Sequence, residues 1–147
     1  MINKTETIVK FWGICDLSFI VIYVATSIIG GRLPVYSDIV AIFTNAESYG
    51  SDYIKIFSIV SVILYVSIAY SGWLLWKRDK LGGLIAYIQT PIRIATITPS
   101  LYFIFWPLKY ISHIIVSVII MWILLLLTEG IKVYNITQWR KHIVNAG

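Results

Sequence analysis

The sequence predicts an all-α integral membrane protein, a four-transmembrane-helix bundle with both termini in the cytoplasm. Three observations carry that expectation. Of the 147 residues, 59% are hydrophobic and 13% charged, against about 25% charged in a typical soluble domain. Four long apolar segments follow one another along the chain. The Lys and Arg residues collect at alternate segment ends, as orientation in a membrane demands.

The spans are expected at about residues 8–29, 54–76, 82–106 and 111–127. Each has about 17–25 residues, enough at a rise of about 1.5 Å per residue to cross the hydrocarbon core. Helices satisfy every backbone polar group within the segment, whereas a barrel strand would be shorter and would alternate. The run Ile120–Leu127 does not alternate. The first span ends at Gly30-Gly31, the second at the charged group Lys77-Arg78-Asp79-Lys80, and the fourth at Glu129-Gly130. The links at 77–80 and near 107–110 are short, so neighbouring helices run antiparallel. The whole chain reads as a single transmembrane domain. The first apolar run is too long for a cleaved signal and reads as a retained span.

With the N-terminus inside, the cytoplasmic face collects Lys4, Lys10, Lys77, Arg78, Lys80, Lys132, Arg140 and Lys141, and the outside only Arg32, Lys55 and Lys109. This bias, with four spans, puts both termini in the cytoplasm, and the Ile-rich composition and minimal loops lean toward a bacterium and its cytoplasmic membrane. The net charge of +5 therefore reflects helix anchors rather than a nucleic-acid surface. Aromatic residues at 15% suit interfacial belts.

Two short interfacial helices are expected outside the spans. One lies in the first outside loop, about Gly30–Tyr53, where Ser37-Asp38 precede Ile39-Val40-Ala41-Ile42-Phe43 in the manner of an N-cap. That loop is acidic, and Asp38, Glu47 and Asp52, with Tyr49 and Tyr53, are its candidates for facing a partner. The other lies in the C-terminal tail from Lys132, where Val133, Tyr134, Ile136, Trp139 and Ile143 mix with Arg140 and Lys141.

Two ionisable residues fall within the spans: Asp16 in the first and Arg93 in the third. A charge at mid-membrane costs roughly 2.5–3.5 kcal/mol on insertion scales, so such residues face the protein interior and have partners. From the cytoplasmic end they lie at depths of about 12 and 17 Å, an offset that an arginine side chain spans. An Asp16–Arg93 pair is therefore expected. Gln89, Arg93, Thr96 and Ser100 follow i, i+4, i+7, i+11 and form one polar face, which either lines a cavity or packs inside the bundle. Pro91 and Pro99 are expected to kink this helix, with Thr90 and Thr98 positioned to re-satisfy freed backbone groups. Ser58, Ser61, Tyr65 and Gly72 form a weaker face suited to close packing. Glu129 reads as an interfacial residue at the end of the fourth span, and Cys15 as a small buried hydrophobe.

His113 and His142 fall on opposite sides of the membrane, so no metal site is expected, and no cofactor. No zinc, redox, phosphate-loop or nucleophile motif occurs in the sequence. A lipid enzyme would have to use Lys77, Arg78 and Asp79, which are explained as a stop signal, and the protein is not expected to be an enzyme. The expected partners are the lipid bilayer and a membrane protein or a second copy of the chain. The favoured function is to bind or regulate another membrane protein or membrane-inserting segment, with an immunity protein against a membrane-targeting toxin as one form. The alternative is an oligomeric transporter or channel subunit using Asp16 and the third-span polar face.

Overall fold

A computed structural model of the protein describes residues 4–49, 52–101 and 113–145, and among them there are only helices. In chain order these are α1 (Lys4–Ile29), α2 (Tyr36–Tyr49), α3 (Asp52–Trp76), α4 (Lys80–Ala95) and α5 (Ile114–Asn145). Three of them contain stretches long and apolar enough to cross a membrane: Lys4–Ile29, Ser58–Trp76 and Ile114–Ile143. The chain is a helical membrane protein.

Its packing is inverted relative to a water-soluble bundle. Val21 is 66% exposed and Ile115 75%, while Asp16, Gln89, Arg93, Glu129 and Lys132 are buried. Apolar surface on this scale suits contact with lipid tails and not with water.

Helix α1 packs on α3 and α5, and α4 packs on α3 and α5. The close approaches are made where side chains are missing. A Cβ on Gly13 would stand 2.7 Å from both the Gly72 carbonyl oxygen and the Trp76 backbone nitrogen. A Cβ on Gly82 would stand 2.8 Å from the Leu75 nitrogen. Such backbone-to-backbone contact replaces the hydrophobic drive that lipid removes. Val9, Leu75, Ala86, Ile136 and Trp139, one or two from each of four helices, form the apolar core at the end of the bundle that holds the start of α1 and the end of α5.

The α3–α4 hairpin turns within residues 77–79. Arg78 adopts a left-handed φ of 64°, the Asp79 N–H donates to the Leu74 carbonyl at 2.9 Å and the Arg78 N–H to that of Leu75 at 3.0 Å. This is a Schellman terminus. Asp79 then caps α4 at once, its carboxylate accepting from the Leu81 N–H at 2.8 Å.

Two expectations about the helices are corrected. The third apolar segment does not form one helix to residue 106. Helix α4 has 16 residues, about 24 Å at the usual rise, and stops at Ala95. Ile97 takes a left-handed φ of 52°, and the Thr98 N–H donates to the Arg93 carbonyl at 2.8 Å, a second Schellman terminus. The reason is local: Pro99 disfavours the helical conformation at Thr98. Pro91 lies inside the helix, whereas Pro99 lies beyond its end and kinks nothing. Residues 102–106 of that expected span lie outside the described residues, as do 111 and 112 of the fourth.

The fourth apolar segment, conversely, does not end at Glu129-Gly130. Helix α5 runs 32 residues to Asn145, so the tail is no separate interfacial helix and Lys132 is no loop residue. Leu125, Glu129, Lys132, Ile136 and Trp139 are buried in a 4-3-4-3 spacing that keeps one stripe on the bundle. A glycine inside a helix costs roughly 1 kcal/mol, too little to stop it against that stripe. Helix α2 is longer than the short helix expected in the first loop, and Ser37 and Asp38 lie inside its first turn.

Gly13→Leu is expected to destabilise the protein by about 1–3 kcal/mol or to prevent its accumulation. Gly130→Ala, where a Cβ meets nothing within 4 Å, is expected to stabilise it by about 0.5–1 kcal/mol. Thermal unfolding in detergent, read by tryptophan fluorescence, checks both.

Candidate functional site

Half-way along α1, the backbone of Gly13 and Gly72 lets α3 approach so closely that Asp16 is fully buried. Its carboxylate faces α4 and α5. Arg93 Nη2 lies 3.0 Å from Asp16 Oδ1. Lys132 Nζ donates to Oδ1 at 2.9 Å and to Oδ2 at 2.7 Å. Asp16 thus bridges two cations from two helices, and Lys132 is the closer.

A second carboxylate completes the group. Glu129 lies one turn before Lys132 on the same face of α5, and its Oε1 accepts from the Ser100 backbone N–H at 2.9 Å and hydroxyl at 2.7 Å. Arg93 Nη1 is 3.9 Å from that oxygen, so Ser100 holds Glu129 more directly than Arg93 does. The Ser100 hydroxyl also accepts from Arg93 Nη1 at 2.8 Å and Lys132 Nζ at 3.0 Å. One hydroxyl therefore serves three ions, which uses its one proton and both lone pairs. Asp16, Arg93, Glu129 and Lys132 together carry no net formal charge, and each is at most 1% exposed.

The network extends sideways into α3. Gln89 Oε1 accepts from Arg93 Nη2 at 3.3 Å and from the Ser71 hydroxyl at 3.1 Å, and Gln89 Nε2 donates to the Ser67 hydroxyl at 2.6 Å. Within this network, Arg93 Nε and Glu129 Oε2 are buried with no hydrogen-bond partner among the described residues.

Of the residues singled out in the sequence, the structure brings Asp16, Arg93, Gln89 and Ser100 together. They do not share one continuous helix face. Gln89 and Arg93 lie on α4, Thr96 caps it, and Ser100 returns to Arg93 only because the chain turns at Ile97. Thr96 stands aside, its hydroxyl donating to the Ile92 carbonyl at 2.9 Å and sharing a hydrogen bond with Thr98 at 2.9 Å. Thr90 bonds the Ala86 carbonyl at 2.9 Å.

Glu129 and Lys132 were missed as site residues, and Glu129 is not interfacial but interior. The signal was present in the spacing of Leu125, Glu129, Lys132, Ile136 and Trp139, which places both ions on the buried stripe once the helix is carried through Gly130.

The outer candidates fare differently. The Asp38 carboxylate accepts a hydrogen bond from the Tyr23 hydroxyl, which in turn accepts from the Val35 N–H at 2.9 Å. These bonds tie α2 to α1. The side chains of Glu47, Tyr49, Asp52 and Tyr53 lie outside the described residues. No group of three or more potential metal-binding side chains is present among the described residues. Comparisons with protein-family models, curated proteins and solved structures give no match to this chain.

Removing one partner of a buried ion pair costs about 3–5 kcal/mol, because the remaining charge is stranded. Asp16→Asn and Lys132→Met are each expected to lose that much stability. The double variant, neutral again, is expected to recover a large part of it in a thermodynamic cycle. Arg93→Lys should destabilise as well, since an ammonium lacks the planar fork that reaches Asp16, Ser100 and Gln89 at once.

Proposed function

We propose that the protein is a membrane-embedded binding protein that engages another membrane protein or membrane-inserting segment. The observation that carries this reading is the occupancy of Asp16 within the charge network. Both oxygens of Asp16 are held by Lys132, so the carboxylate that a transporter would offer to an ion is occupied. The network then acts as a frame, and the chain has its lipid-facing surface left to offer. The first half of α5 offers a run of that surface: Ile114, Ile115, Val116, Val118 and Ile119 are all exposed.

In this proposal the chain crosses the membrane four times, with α4 beginning the third crossing. Glu129 stands at the level where α4 ends, and Ile114 lies 15 residues before it in α5, about 22 Å away along the helix. Both termini are cytoplasmic, because the start of α1, the 77–79 turn and the end of α5 share one end of the bundle with most of the Lys and Arg residues. The membrane is the cytoplasmic membrane of a bacterium, and the most specific form of the function is immunity to a membrane-targeting toxin.

Photo-crosslinkers at positions 115 and 119 are expected to capture one discrete membrane protein or toxin in cells, while a crosslinker at Leu84 on α4 does not. Lipid adducts alone at 115 and 119 would sink the reading. One observation favours a second reading, an oligomeric transporter or channel subunit: Glu129 Oε2 is buried without a hydrogen-bond partner among the described residues, which leaves acceptor positions for a cation. Ion flux through liposomes that depends on Glu129 and Asp16 would support that reading.

A further inference from the structure

At the end of the bundle opposite the apolar core, α1, α2 and α3 enclose a half-open cavity of about 370 Å³. Its walls are chemically mixed. Arg32, Asp38, Tyr23, Tyr65, Ser58 and Ser61 all line it, so it offers one cation, one anion and several hydroxyls. The Tyr23 and Tyr65 rings lie 4.8 Å apart between centroids. A second cavity of about 180 Å³ adjoins the first along the same tyrosines and is continued by Phe19 and Ile22, deeper in α1 and more apolar.

The site is built rather than incidental. Arg32 follows the α1 terminus, where Gly31 takes a left-handed φ of 68° and the Arg32 N–H donates to the Ser27 carbonyl at 2.9 Å. The Leu33 N–H donates to the Ser37 hydroxyl at 2.9 Å, and Tyr23 bonds both Asp38 and the Val35 backbone. These contacts hold α2 against α1 and bring Arg32 and Asp38 to one cavity.

The geometry points to a binding site for a phosphoethanolamine headgroup, with the phosphate on Arg32, the ammonium on Asp38 and the glycerol end directed into the Phe19–Ile22 cavity. A guanidinium matches phosphate oxygens in forked geometry. A carboxylate has about four lone-pair positions, so Asp38 accepts an ammonium N–H as well as the Tyr23 hydroxyl. Faces of Tyr23 and Tyr65 favour a cation beside them. A primary ammonium has three donors for Asp38 and the serine hydroxyls, whereas a choline headgroup has none, and a glycerol headgroup brings no positive charge to Asp38. The depth is also right: Tyr23 lies about one and a half to two turns below the end of α1, at the level where tyrosines meet headgroups. This site uses none of the residues of the charge network or of the exposed half of α5, so it stands apart from the partner-binding proposal.

The test is lipid retention by the full chain. The protein is purified in mild detergent, exposed to equal amounts of phosphatidylethanolamine, phosphatidylcholine and phosphatidylglycerol, and analysed by native mass spectrometry. Phosphatidylethanolamine is expected to be retained about tenfold over the other two, the effect of one charge-assisted hydrogen bond. Asp38→Asn should abolish that preference, Arg32→Gln should lower retention of all three lipids because each carries the phosphate, and Lys80→Gln, at the far end, should change neither. Asp38→Asn also weakens the Tyr23 contact, so Arg32→Gln, at an exposed position, supplies the independent variant, read on the amount of lipid retained. Soluble phosphoethanolamine, added as competitor, separates the sources: displacement only by the diacyl lipid identifies a membrane lipid, and displacement by both at equal concentration identifies the free headgroup compound. Equal retention of the three lipids by the wild type, together with no displacement by phosphoethanolamine, overturns the assignment, as does phosphatidylethanolamine retention left unchanged by Arg32→Gln.

Discussion

Charge neutrality in a medium without water is the constraint on which this structure depends. Asp16 alone on α1, or Arg93 alone on α4, would face a solvation penalty of several kcal/mol in the hydrocarbon core. Lys132 at 2.7 Å and Arg93 at 3.0 Å from Asp16 offset it, and Ser100 links Arg93, Lys132 and Glu129. The arrangement differs from a surface salt bridge, which contributes little. Here each partner is obligatory, because the alternative is an unpaired ion in lipid. Three helices and the chain after α4 are thereby fixed in register to within a hydrogen-bond length.

The rest of the bundle can be understood as serving that network. Gly13 and Gly72 remove the side chains that would hold α1 and α3 apart at the level of Asp16. The early end of α4 frees the chain to turn at Ile97, which takes a left-handed conformation that costs a β-branched residue about 1–2 kcal/mol. That turn is what carries Ser100 back to Arg93. Gln89, Ser67 and Ser71 support Arg93 from the α3 side, so the guanidinium is oriented by groups that carry no charge of their own.

Much of the architecture was legible in the residues. Long apolar runs and their charged ends locate α1, α3 and the membrane-facing part of α5, because length and hydropathy are properties of single segments. Asp16 and Arg93 stood out because an ion in an apolar run has few explanations. The depth argument placed them at similar levels, and their side chains meet. The tertiary choices were harder to read. Whether Pro99 kinks a helix or follows its end depends on Ile97 accepting an unfavourable φ, which no propensity suggests. Gly130 looks like a stop signal until the stripe of Leu125, Glu129, Lys132, Ile136 and Trp139 is followed through it. Lys132 resembled the other lysines at segment ends, and only burial against Asp16 distinguishes it.

The distribution of these four ions along the chain has a consequence for biogenesis. A ribosome delivers Asp16 first, Arg93 some 77 residues later, and the Glu129–Lys132 pair last. The two ions on α5 are spaced i, i+3, so that helix enters the membrane already self-compensated. Asp16 has no such companion on α1 and must wait for a later segment to neutralise it. Its closest partner, Lys132, emerges 116 residues after it. The native arrangement of α1 is thus completed by α5, so the finished charge network is also a record that every helix from α1 to α5 has been inserted.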